Sequence, residues 1–325
     1  MRSALRALRR LPHSGNLERG PCNVERAGQR PAPFGRPLTL LLLPHYNRLT
    51  MILDFHTHAV RLDPDMPEGY RAFMSSNQEQ DLDEFCEYYS NPENFLAVLD
   101  EAGVDYAVVL AETAVITSSV ITNDHLQQFA EGGKGRIIPF CTFNPYMVLN
   151  PAAELDRAVR EHGFRGVKFY PTYEYFYPNQ RLLYPVYAKA QELGIPVMAH
   201  TGSSVFAGSR LKYGDPLYWD DVAVDFPDLT IIMCHGGRML WYDRAATLVR
   251  LHKNMYFDIS GLPPKRLLDY WPDLERLSDK VLFGTDWPGA SIAGNLKAFR
   301  SIDLSDEAKQ KILWANGSRI LGLEG

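Results

Sequence analysis

The chain has 325 residues, 46% of them hydrophobic and 22% charged, and a net charge of −5. That composition excludes a disordered chain, a collagen and a coiled coil, shows no globally basic footprint for nucleic acid, and is ample for a large core. Four cysteines (Cys22, Cys86, Cys141, Cys234), none in a CxxC pair, exclude a disulfide framework and a cysteine-built zinc site and point to a reducing, cytoplasmic setting.

The charge is uneven. Residues 1–50 hold nine Arg, no Lys, no Asp and two Glu, so they carry +7 and the other 275 residues carry −12. The same fifty hold six Pro and one apolar run, Leu38–Leu43, far below the roughly 20 residues of a membrane span. Three readings compete: a transit peptide, a weak secretory segment, or a disordered extension ahead of a true start at Met51. The third is favoured, because Met51-Ile52-Leu53-Asp54 begins the first strand-like run at once.

From Met51 on, apolar runs alternate with helical spacing. The predicted strands are Ile52–Phe55, Tyr106–Leu110, Ile137–Phe140, Gly166–Phe169, Ile195–Ala199, Thr230–Met233, Met255–Ile259 and Val281–Phe283. Most carry apolar residues on both parities, as strands covered on both faces do. Between them, Phe95, Leu96, Val98 and Leu99 precede Gly103, and Leu155, Ala158 and Val159 precede Gly163, with Asn150-Pro151 as a start signal. Eight β-then-α units predict a (β/α)8 TIM barrel over 51–325. An open doubly wound sheet is the alternative, but no GxGxxG follows the first strand and no GxxxxGK[ST] occurs. The first connection is the long one. Residues 59–91 carry eight acids against two Arg, and also Tyr70, Phe73, Phe85, Tyr88 and Tyr89. In a barrel this segment would lie over the active-site mouth.

Metal-capable residues recur at the strand ends. Asp54-Phe55-His56-Thr57-His58 closes the first run, and side chains two apart on a strand share a face, so His56 and His58 can converge on one ion. His200 ends the fifth run in Met198-Ala199-His200-Thr201-Gly202, and His235 the sixth in Met233-Cys234-His235-Gly236-Gly237. Asp286 ends the eighth in Phe283-Gly284-Thr285-Asp286-Trp287-Pro288, and Lys168 lies near the end of the fourth in Gly166-Val167-Lys168-Phe169-Tyr170-Pro171. These are the positions from which barrel strands deliver catalytic groups. A lone HxH says little; the ordered set says much more.

At these residues, and through the closing Ile312–Leu323, the chain resembles the amidohydrolase superfamily, nearest the branch that includes aminocarboxymuconate-semialdehyde and resorcylate-type decarboxylases. The resemblance implies a mononuclear site in which His56, His58, His200 and Asp286 hold one Zn2+ per chain, with Asp286 also moving a proton and His235 acting on the substrate. Mn2+, Fe2+ or Co2+ would suit the same donors. In two-metal members a fourth-strand lysine is carboxylated; in the branch resembled here that role is generally absent, so Lys168 is read as an anion contact or a packing residue.

Such a site lowers the pKa of a bound water, which predicts a metal-dependent hydrolase of a small amide, ester or lactone. The alternative is a metal-dependent non-oxidative decarboxylase of an aromatic or unsaturated acid. A barrel that only binds is a third reading, which the complete ligand set disfavours. Lys168, Tyr170, Arg210 and Arg238 are candidate contacts to the substrate, with a carboxylate the natural partner of the cations. Tyr173, Tyr175, Phe176 and Tyr177 either wall the pocket or pack the loop. Glu112 is read as structural, and His125, His162 and His252 as surface residues. Gly236-Gly237 predicts a sharp turn. The partner is a small molecule; no nucleic acid or membrane is expected, and a homo-oligomer is left open.

Overall fold

The computed structural model describes residues 51–323; the expectation for residues 1–50 lies outside them. The eight barrel strands are β1 (Leu53–His58), β2 (Tyr106–Leu110), β3 (Ile137–Cys141), β4 (Gly166–Phe169), β5 (Val197–Gly202), β6 (Ile231–Arg238), β7 (Met255–Asp258) and β8 (Val281–Leu282). They pair in parallel and in chain order within one sheet. Past β8 the chain closes the ring onto β1: Phe55 N donates to Phe283 O at 2.8 Å, Asp286 N to His56 O at 2.8 Å and His58 N to Trp287 O at 2.8 Å. This is the TIM barrel that the alternation predicts.

The two parities of each strand feed two cores. Leu53, Phe55, Val108, Leu110, Ile138, Phe140, Met198, Ile232 and Cys234 form one cluster, with Phe55 and Phe140 edge to face at 5.9 Å. Ala107, Val109, Val167, Phe169, Val197, Ile231 and Met233 belong to the other, together with helix residues such as Leu99, Leu155 and Val186. The helices begin and end where local chemistry dictates. Asn150 Oδ1 caps the helix Pro151–His162 by accepting from Ala153 N at 3.1 Å, and Gly163 ends it at φ 72°.

The long first connection is not a bare loop. It folds into the helices Glu68–Ser76 and Leu82–Tyr89 ahead of Pro92–Ala102. A short antiparallel hairpin after β2, Glu112–Thr113 with Val120–Ile121, was not foreseen.

Candidate active site

Strict alternation could not place the site residues where they are. Leu53 and Phe55 join the inner cluster, so on a regular strand His56 and His58 would face the helices. A register shift between Asp54 and Thr57 re-aims them. Asp54 holds that segment against the far side of the seam, accepting from Thr285 N at 3.0 Å and Thr285 Oγ1 at 2.6 Å. Cys234 packs inside, and the next residue, His235, reaches the same cavity because its φ is 61°. Asp286 does likewise at φ 67°. Left-handed backbone at a residue other than glycine costs on the order of 1–3 kcal/mol and persists only where the surroundings impose it. Gly236 at φ 52° follows His235, and a Cβ there would stand 2.5 Å from Trp271. At Gly261 (φ 62°) a Cβ would lie 2.7 Å from Asp286 Oδ2, so this loop must remain bare to leave room for the carboxylate.

The result is a cavity of about 60 Å3 at the C-terminal ends of the strands, lined by His56, His58, Glu112, Lys168, His200, His235, Arg238 and Asp286. His56 Nε2 and His58 Nε2 lie 3.3 and 3.2 Å from the same atom, Asp286 Oδ1. Donor atoms of His56, His235 and Asp286 all lie within 4.8 Å of one another. His200 stands on the adjoining wall, its ring 4.8 Å from that of His235 and its Nε2 3.2 Å from Ser203 O. Lys168, 1% exposed, places Nζ 3.4 Å from His56 Nε2 and 3.0 Å from Cys234 Sγ. Arg238 is tied by Nε and Nη2 to Ser203 O at 3.1 and 2.9 Å.

Burial, with the nearby cations Lys168 and Arg238, lowers His56, His200 and His235 below the ordinary imidazole range. Neutral imidazole is the form that binds metal. Burial alone would raise the Asp286 carboxyl, but the hydrogen bond with His58 and the charges of His235, His56 and His58 hold it well below the usual range. Asp258 behaves in the same way: His56 and His235 outweigh its burial. Glu112 goes the opposite way, raised by burial although His58 and Ser118 pull against it.

Not every candidate converges. Tyr170 lines the cavity but donates its OH to Ala111 O at 2.7 Å. Arg210 is exposed and stacks 4.5 Å over the Tyr175 ring, so it is not brought to the cavity. Of the tyrosine-rich loop only Tyr173 reaches it; Phe176 is fully buried in the core and Tyr177 packs on Tyr213 and Tyr218. Glu112, read as structural, is a lining residue.

The first connection does lie over the mouth, as its length and position predict, and Tyr70, Phe73 and Met74 from it line the cavity. Two groups have no counterpart in the sequence analysis. The first is the other half of this cover, Val205 and Phe206 after β5. Phe206 meets Tyr70 at 5.0 Å and Phe73 at 5.1 Å, edge to face. The second is Asp258 with Ser260 at the end of β7, in hydrogen-bonding contact with His56 and His235. A signal for them exists: an aspartate inside the apolar run Met255–Ile259 has to be satisfied by something.

The model of the Amidohydrolase family matches residues 53–323. A 2-keto-4-carboxy-3-hexenedioate hydratase from Sphingobium sp. is 25% identical over 52% of this chain and 60% of its own length. A gamma-resorcylate decarboxylase from Polaromonas sp. is 23% identical over 53% of this chain and 66% of its own. The chain thus spans less than two thirds of either relative. A dihydroxybenzoic acid decarboxylase structure from Polaromonas sp., with bound manganese and the inhibitor 2-nitroresorcinol, superposes with a TM-score of 0.63 at 18% identity, over 85% of this chain and 98% of that one. Among the described residues no helix is long and apolar enough to cross a membrane.

Proposed function

Because this chain belongs to the Amidohydrolase family, we propose that it is a metal-dependent enzyme that removes the carboxyl group of a small aromatic or unsaturated acid as CO2. The observation that carries the reading is the meeting of two sets of groups in one cavity: the metal-capable His56, His58 and Asp286, and the cations Lys168 and Arg238, with Lys168 Nζ 3.4 Å from His56 Nε2. The cations suit a substrate carboxylate, and the aromatic cover suits a flat unsaturated skeleton. The names of the decarboxylase and hydratase relatives, all of which act on unsaturated or aromatic acids, weigh on the same side.

His56, His58, His200 and Asp286 would hold the ion. They fit one because two imidazole Nε2 atoms already meet on a single carboxylate oxygen and burial keeps His56 and His200 neutral. A bound ion would supply Lewis-acid polarisation of a substrate oxygen. Zinc satisfies this donor set; manganese does too, and it is the ion in the Polaromonas structure. Lys168 and Arg238 orient the carboxylate. Asp286, ionised at rest, takes a proton from a substrate hydroxyl and returns it to the carbon that loses the carboxyl. One C–C bond breaks, one C–H bond forms and CO2 departs. His235, which lines the same cavity with Nδ1 held by Ser260 O, is the second proton-handling group.

The test is CO2 release by the full chain, loaded separately with Mn2+ and Zn2+, from 2,6-dihydroxybenzoate and from unsaturated di- and tricarboxylates. Metal-dependent release that a chelator abolishes is the expected result. Hydrolysis is the second reading, since the same donors can activate water. Turnover of lactones or amides, with no CO2 from any carboxylate, would replace the first reading with the second.

A further inference from the structure

We infer that Asp258, a residue outside the cavity lining, is the positioning residue that sets the tautomer of His56 and so presents its Nε2 lone pair to the metal. This rests on the reading of His56 as a ligand. Asp258 Oδ1 accepts three hydrogen bonds, from His235 N at 2.9 Å, Ser260 N at 3.0 Å and Ser260 Oγ at 2.6 Å. Asp258 Oδ2 faces His56 Nδ1 at 2.9 Å. A carboxylate only accepts, so the proton of the neutral His56 ring sits on Nδ1. Ser260 Oγ, 2.8 Å from the same nitrogen, has given its own hydrogen to Asp258 and can only accept there. The neutral ring has one proton, so Nε2 is left as the acceptor: Lys168 Nζ, which can only donate, faces it at 3.4 Å, and Asp286 Oδ1, shared with His58 Nε2, lies 3.3 Å away. The same segment orients a second ring: His235 Nδ1 lies 2.8 Å from the Ser260 carbonyl, which can only accept.

The arrangement makes an isosteric change unusually informative. In Asp258→Asn the side-chain oxygen must stay at the Oδ1 position, because three donors converge there. The amide NH2 is then forced toward His56 Nδ1. It can only donate, so the ring must move its proton to Nε2 and lose the lone pair that would bind metal. None of the residues that line the cavity has been replaced.

The experiment reads the ring directly. Nitrogen-15 spectra of histidine-labelled, metal-free full chain, with His56 assigned by its absence in His56→Ala, should show the Nδ1–H tautomer in the parent and the Nε2–H tautomer in Asp258→Asn. Titration with Zn2+ alone should show affinity lowered by about 10–100-fold, the usual effect of losing a carboxylate behind a metal-binding histidine. An Nε2–H tautomer in the parent overturns the inference, and that measurement holds even if the variant fails to fold. An unchanged tautomer and unchanged zinc affinity in a folded Asp258→Asn overturn it as well. Inversion of the tautomer without loss of zinc affinity supports Asp258 as the residue that sets the ring, while removing His56 from the ligand set.

Discussion

The floor and the cover of this cavity are built on opposite principles. The floor, from β1 and the ends of β6, β7 and β8, is polar and held by a closed hydrogen-bond network on rigid strands. Of its carboxylates, those that face imidazoles, Asp258 and Asp286, are pushed down by them, whereas Asp54, paired with Thr285, is raised by burial to about 7. The cover, from the first connection and the segments after β2, β4 and β5, is largely aromatic: Phe206 meets Tyr70 and Phe73 edge to face and Tyr173 at a tilt. The carboxylates on that side, Glu112 and Glu174, are pushed up by burial. The difference teaches where each property lives: bond-making groups need angular precision, which strands supply, whereas substrate selection needs a surface that can be exchanged without disturbing them. Every test of this division asks whether an effect stays on its own side.

The largest effect is expected on the floor. His235 is held at φ 61° with Nδ1 tied to Ser260 O, which leaves its other nitrogen for the cavity. His235→Ala should lower turnover by about 10²–10⁴-fold, the range for loss of one acid–base or charge-stabilising group. Metal content per chain, measured by elemental analysis, should remain at the parent's level. Loss of metal together with activity would make His235 a ligand, as its place within 4.8 Å of His56 and Asp286 allows, and would collapse the separation of roles.

How much of this could be read from the sequence follows the same division. The strands were legible because apolar residues on both parities leave few alternatives, and Tyr106–Leu110 and Gly166–Phe169 match their expected bounds. The helix Pro151–His162 was legible from Asn150-Pro151 and Gly163, local signals with local causes. The floor was legible as a set of residue types, yet its geometry was not. The register shift before His58 and the positive φ at His235 and Asp286 depend on neighbouring strands, and no periodicity encodes them. Asp258 was missed because one acid at a strand end resembles a solvated terminus. Half of the cover was legible, since the long first connection with Tyr70 and Phe73 reads as lying over the mouth; its closure on Phe206, 136 positions from Tyr70, was not, and Arg210, sequence-adjacent to Phe206, turns out onto Tyr175 instead.

A smaller effect tests the electrostatics of the cover through stability. Glu174 is buried, accepts from Thr113 Oγ1 at 2.9 Å through Oε1, and leaves Oε2 without a partner. Burial raises its pKa from 4.5 to about 7. The folded state therefore binds this proton more tightly than the unfolded one. The stabilisation is fully present below pH 4.5 and is lost as pH rises through about 7. Glu174→Gln removes the charge that deprotonation would strand. Urea melts should show the variant more stable than the parent by about 2–3 kcal/mol at pH 8, and close to it at pH 4. An equal gain at both pH values would mean that the side chain is relieved of strain rather than of charge, and the cover would lose its electrostatic distinction from the floor.

The smallest effect decides whether the cover is separable at all. Phe206 is half-buried, and its ring packs on those of Tyr70, Phe73 and Tyr173. Its contacts act equally on substrate and on transition state, because nothing in them changes as bonds are made. Phe206→Ala should then raise KM by roughly tenfold, the energy of one or two aromatic contacts, while kcat stays within about twofold. Steady-state kinetics on the metal-loaded protein measure both. A fall in kcat with KM unchanged would mean that the cover orders the floor in the transition state. Tyr173 is the route such coupling would take, since it packs on Phe206 at 5.9 Å and places its OH 3.4 Å from His200 Nδ1.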